Sequence, residues 1–166
     1  TVRELRGTPC IPLGDEPPAR AQLMYSRMVG TPVDTREQMG HVLAQYATLA
    51  ARRLRAHGLR AELMTVTMST SRFGSRPAHH ATPVPLSPAT AEPLDLIDAA
   101  RSALPAMVPG NRYNRVGILL TGLVPDGVES LLPGGVDPAL GRAVDRVHAR
   151  YGTSVLGYGH TGLRGP

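Results

Sequence analysis

The stretch AELMTVTMST, residues 61–70, alternates apolar and hydroxylic side chains with a period of two. Met64, Val66 and Met68 fall on one side; Thr65, Thr67 and Ser69 fall on the other. Successive side chains of a strand point to opposite faces, so this pattern describes a strand buried on one face only. A sheet built on it needs cover on one side and leaves a hydroxyl-bearing face open. NRYNRVGILLTGL, residues 111–123, repeats the pattern. There Val116, Ile118 and Leu120 face one way, and Arg115, Gly117 and Leu119 the other.

Two amphipathic helices are predicted to supply the cover. Asp34 is placed as an N-cap, with Glu37 three residues later as in a capping box. Met39, Val42, Leu43, Tyr46, Leu49, Ala50 and Leu54 then recur at helical spacing until Gly58 ends the run. The basic residues Arg52, Arg53, Arg55 and His57 lie in its last turns, where they complement the helix dipole and need no ligand. The second helix spans Ala91 to Val108, with Leu94, Ile97, Ala100, Leu104 and Met107 on its apolar side. Pro93 suits its first turn, and Pro105 should end or kink it.

Two weaker strands complete the pattern. Residues 24–29 form a short one that stops at Gly30 and Pro32; TPVPL, residues 82–86, forms another whose prolines place it at a sheet edge. The intervening stretch SRFGSRPAHH, residues 71–80, reads as a loop. The order from Met24 to Leu123 is β-α-β-β-α-β. That order predicts an α+β fold: a four-stranded, mostly antiparallel sheet with both helices on one face. Residues 1–22, rich in proline, read as a linker; 23–124 as the domain; and 125–166 as an extension. Within that extension, a helix is expected around Ala139–Arg150 and a small strand at Ser154–Tyr158.

Composition narrows the function. The 166 residues allow one sizeable core. No apolar run approaches the roughly 20 residues that span a bilayer. Nothing at the N-terminus resembles a signal peptide, and a start at Thr1 points to a fragment or processed product. A single cysteine, Cys10, excludes an internal disulfide and suits a reducing cytosol, so a cytoplasmic location is expected. The net charge is +5, and all 18 basic residues are arginines. Guanidinium groups fork onto phosphates, so this balance is compatible with a nucleic-acid surface. A coding bias from a GC-rich genome, which the abundant Ala, Gly and Pro favour, accounts for the missing lysine better than function does.

Enzyme signals are poor. Gly157, Gly159 and Gly162 match G-x-G-x-x-G, but the chain ends before the helix that a dinucleotide fingerprint requires. His79 and His80 are adjacent, which is wrong for a shared metal, and Cys10 has no partner base. Asp95 and Asp98 share a helix face that reads as solvated. The arginines are better placed. Arg27 lies on the first strand, Arg72 and Arg76 in the hairpin loop, and Arg112 and Arg115 at the start of the last strand. Around an open face they would meet backbone phosphates, with Thr65, Thr67 and Ser69 as donors. Phe73 and Tyr113 are the only aromatics near, so base stacking is a weak reading.

Several segments together resemble a known family. TVRELRGTPCIPL, SRMVG at Ser26–Gly30, QYATLAARRLRAHGL, TVTMSTSRF, NRYNRVGILLTGL and LGRAVDRVHARYGTSVLGYGHTGLRG occur in the order found in UmuC-type Y-family translesion DNA polymerases. Residues 24–123 resemble the little-finger domain of that family, and residues 1–22 the segment leaving its thumb. The resemblance implies a sequence-independent DNA-binding module for primer–template duplex, serving DNA damage repair, the SOS response and translesion synthesis near the nucleoid. It further implies phosphate contacts from Ser26, Arg27, Arg72, Arg76, Arg112 and Arg115. Its partners would be DNA and the remainder of the polymerase chain. The family's palm, with its catalytic carboxylates and Mg2+, is absent, so this fragment alone is expected neither to catalyse nor to hold a cofactor. The family's clamp-binding Q-L-x-L-F is replaced by VESLLPGG, residues 128–135, which puts docking on the sliding clamp through it in doubt. Two alternatives remain open: a free-standing βαββαβ module that binds a ligand or dimerises through its sheet, or an adaptor from a catalytically dead paralogue.

Overall fold

The alternating stretches become the two central strands of one sheet. The computed structural model describes residues 2–7, 21–74, 77–126, 138–152 and 155–159. After one helical turn, α1 (Val2–Leu5), the elements are β1 (Gln22–Val33), α2 (Arg36–Ala56), β2 (Leu59–Thr70) and β3 (His79–Thr90). There follow α3 (Pro93–Ser102), a 3-10 turn at Leu104–Ala106, β4 (Tyr113–Pro125) and α4 (Pro138–Tyr151). The strands lie in the order β1-β4-β2-β3, and every neighbouring pair is antiparallel. The predicted α+β architecture is therefore the one observed.

The core lies between this sheet and the helices α2 and α3. Met64, Val66 and Met68 of β2 and Val116, Ile118 and Leu120 of β4 are fully buried, as their alternation requires. From α2 come Met39, Leu43, Ala47, Ala50 and Leu54, and from α3 Leu96, Ile97 and Ala100. Each large aliphatic side chain here is worth about 2–5 kcal/mol against truncation to alanine.

Several local expectations are corrected. The N-cap of α2 is Thr35 rather than Asp34: its hydroxyl accepts from Gln38 N at 3.3 Å, so the helix starts one residue later. β1 continues through Gly30 and Pro32 because a register shift between Met28 and Val33 absorbs them on an edge strand. β3 is 12 residues long, not five, and His79 and His80 begin it rather than sitting in a loop. The other edge of the sheet is β3, where Pro83 and Pro85, two residues apart, turn their missing donors to the same side. The second helix ends at Ser102, and Pro105 falls in the 3-10 turn after it. The C-terminal helix forms, but Val155–Gly159 lie in irregular backbone instead of the expected strand.

The helix α4 is tied to the body by one polar cluster. Arg55 of α2 donates from Nε and Nη2 to the two carboxylate oxygens of Asp145 at 2.7 and 2.9 Å, and from Nη1 to Ala91 O at 2.6 Å. The Glu92 carboxyl is buried beside it, and that burial pushes its pKa above the ordinary 4.5 although Arg55 pulls the other way. Val144 and His148 of α4 are buried in the same contact, and His148 Nε2 lies 2.7 Å from Leu156 O.

Candidate nucleic-acid interface

The face of the sheet that no described element covers follows from register. Ser26 of β1 pairs with Gly117 of β4, Met28 with Arg115, Thr67 with Gly117 and Ser69 with Arg115. Side chains at these positions all point away from the helices. Gly117 has no side chain, and its neighbours close over it. A Cβ built there would lie 2.7 Å from Thr67 Oγ1 and 2.8 Å from Ser26 Cβ. The Ser26 and Thr67 hydroxyls are thereby drawn together, with Thr67 Oγ1 donating to Gly117 O at 3.3 Å.

Around this centre the face forms an open depression of about 760 Å³. Arg115 and Asn114 of β4 line it, with the hydroxyls of Ser26, Thr67, Ser69, Thr70 and Ser71. Arg72 and Phe73 rise from the β2–β3 turn, and Met24, Met28 and His79 complete the rim. No carboxylate is among the described lining residues. The turn is pinned from both strands: Thr70 N donates to Ala78 O at 3.0 Å, and Ala78 N to Thr70 Oγ1 at 2.8 Å. Beyond it, Phe73 N donates to Ser71 Oγ and Gly74 N to Ser71 O. Phe73 is 95% exposed, so its ring is presented and not packed.

Of the residues expected to meet phosphate, Ser26, Arg72 and Arg115 come together here. Arg112 is exposed just before β4 but does not line the depression. Arg76 lies outside the described residues, as do Cys10, Gly162 and VESLLPGG. Arg27 turns to the other side of the sheet, where its guanidinium lies 5.4 Å from the centroid of the Tyr25 ring. Asn114, Ser71, Met24 and Met28 are lining residues that the sequence reading had not singled out. Asn114 had no legible signal, because a register shift between Ser69 and Thr70 sets Tyr113 into the core while Arg115 stays outside. Tyr113 OH accepts from Val108 N at 3.0 Å, so the ring is structural.

The remaining chemical candidates are also placed. Asp95 Oδ2 accepts from Thr90 Oγ1 at 2.7 Å and organises the start of α3. His79 is exposed while His80 points inward, 6.0 Å from the Tyr113 ring, so the two imidazoles do not share a site. Among the described residues no three His, Cys, Asp or Glu side chains gather as a metal site would require. No described helix is long and apolar enough to cross a membrane.

Residues 20–131 match the impB/mucB/samB family C-terminal domain. This chain belongs to that family. It is the C-terminal domain type of UmuC-like Y-family polymerases, in agreement with the resemblance carried by its motifs. The impB/mucB/samB-type chain is 29% identical to protein UmuC of Salmonella typhimurium over 172 residues, covering 98% of this chain and 41% of that protein. It is 36% identical to protein SamB of Salmonella typhimurium over 135 residues, covering 79% of this chain and 32% of that one. The chain thus spans well under half the length of these relatives. Among solved structures, it matches a complex of the beta-clamp processivity factor and the little finger domain of PolIV. That match has a TM-score of 0.46 and 18% identity, over 69% of this chain and 99% of the other.

Proposed function

We propose that this domain grips DNA through the open face of its sheet, holding primer–template duplex by its backbone for a translesion polymerase of which it forms part. The observation that carries this reading is the depression in which Arg72, Arg115, Asn114 and five hydroxyls meet with no carboxylate among the described lining residues. Guanidinium and hydroxyl donors suit phosphate oxygens, which fix position without reading sequence. Met24, Met28 and Phe73 offer apolar surface to deoxyribose between the phosphates. In this reading the bond-making steps, and the magnesium they use, belong to the rest of the parent chain. The domain supplies position, in the service of DNA damage tolerance at the nucleoid.

Binding of unrelated blunt duplexes, measured across a salt series, tests the reading. Each neutralised phosphate contributes about −0.9 to the slope of log affinity against log salt, so Arg72, Arg112 and Arg115 together predict about −3. The double variant Arg72→Ala/Arg115→Ala should flatten that slope by about two and weaken all sequences alike. A flat salt response, or no binding at low salt, overturns it. Self-pairing of two open faces is disfavoured, because it would set Arg72 and Arg115 of both copies against one another. A monomer in sedimentation is therefore expected.

A further inference from the structure

Arg27 leaves the open face and, with α2, builds a second cationic site. Its guanidinium carbon lies 5.4 Å from the Tyr25 ring centroid, and that of Arg53 lies 6.0 Å from the same centroid. Arg52 borders a recess of about 330 Å³ beside them. Tyr25 is itself fixed edge-on by Tyr46, with ring centroids 4.9 Å apart. Among the described residues, no carboxylate lies within ion-pair distance of Arg27, Arg52 or Arg53. Neighbouring arginines differ: Arg55 is paired with Asp145, and Arg60 with Asp126. A helix C-terminus accounts for Arg52 and Arg53 alone. It does not account for Arg27, which a different element brings to the same ring. Guanidiniums gathered without a counter-charge suit an anion that can bridge them.

The location decides which anion. Arg27 and Met28 are chain neighbours on opposite faces of β1, and β1 is an edge of the sheet. One strand's edge therefore separates the recess from the depression. Duplex DNA, with a persistence length of about 150 base pairs, does not fold around such an edge. A single strand does, within a few nucleotides. We propose that Arg27 and Arg53 on the Tyr25 ring, with Arg52 at the recess beside them, bind the phosphates of single-stranded nucleic acid that leaves the duplex and crosses the edge of β1. This rests on the duplex-binding reading of the open face.

The test compares a blunt duplex with the same duplex carrying a single-stranded overhang, using the whole chain. The wild type should bind the overhang substrate more tightly, with a salt slope steeper by about two, at about 0.7 per single-strand phosphate. Arg27→Ala/Arg52→Ala/Arg53→Ala should remove that advantage, lowering overhang affinity about tenfold or more in low salt while the blunt duplex binds as before. A charge-matched control, Arg36→Ala/Arg142→Ala/Arg146→Ala, should keep the overhang advantage. Circular dichroism and a urea midpoint verify folding, and charge-reversed Arg52→Glu serves as a single-site variant should the triple one unfold. Equal losses on both substrates, no loss on either, or no overhang advantage in the wild type would each overturn the site. Absence of blunt-duplex binding would instead sink the open-face reading, and this inference with it.

Discussion

Gly117 sits at the centre of the open face, yet its missing side chain does not leave room for a ligand. Ser26 and Thr67 occupy that space from the strands on either side. Gly117 is a glycine that lets the Ser26 and Thr67 hydroxyls converge. Gly117→Ala would force a Cβ to within 2.7 Å of Thr67 Oγ1 and 2.8 Å of Ser26 Cβ, atoms on short side chains with little freedom to yield. It should cost about 1–3 kcal/mol in urea unfolding, as overpacking does, and weaken duplex binding by spreading the hydroxyls. Unchanged stability would show that the sheet relaxes there without cost. Arg27 offers a second lesson at this scale. Ser26 and Arg27 are adjacent on a strand, so alternation alone forbids them a common face.

At the scale of elements, helices were legible and edges less so. The apolar spacing in residues 39–54 places α2 to within two residues of its ends, because helical periodicity is written in consecutive turns. The edge strands were harder. Gly30 and Pro32 looked like terminators, and Pro83 and Pro85 shortened β3, since their tolerance depends on which side of a strand is left unpaired. The attachment of α4 was not legible either: Arg55 and Asp145 are 90 residues apart in the chain. That attachment carries a pH signature through Glu92. Its carboxyl is held above the ordinary 4.5 by burial, so the folded state binds its proton more tightly than the unfolded chain. The stability this contributes is full below pH 4.5 and is lost as pH rises through the folded value. Against Glu92→Gln, which cannot ionise, the wild type should therefore lose relative stability as pH climbs from about 4 through the carboxyl range. Thermal midpoints of both proteins at several pH values check this; parallel curves would contradict it.

For the whole molecule, seven of the described arginines separate into three groups by partner and by face. Arg55 and Arg60 are neutralised inside the protein. Arg72 and Arg115 stand on the open face, and Arg27, Arg52 and Arg53 gather on the other side. Because the last two sets share no contact, their substitutions should act independently. On an overhang substrate, the losses from Arg72→Ala/Arg115→Ala and from the Arg27/Arg52/Arg53 variant should add to within about 0.5 kcal/mol. A strong departure would mean one continuous site. By itself the sequence determined the α+β class, the order of elements, the buried faces of β2 and β4, and the arginine-rich charge, because periodicity and composition are local properties. Only the tertiary structure decided the strand order β1-β4-β2-β3, the meeting of Ser26 with Thr67 over Gly117, and the gathering of Arg27 with Arg53 on one tyrosine. Those depend on which distant strands share a core, and that choice is made by packing summed over the whole chain.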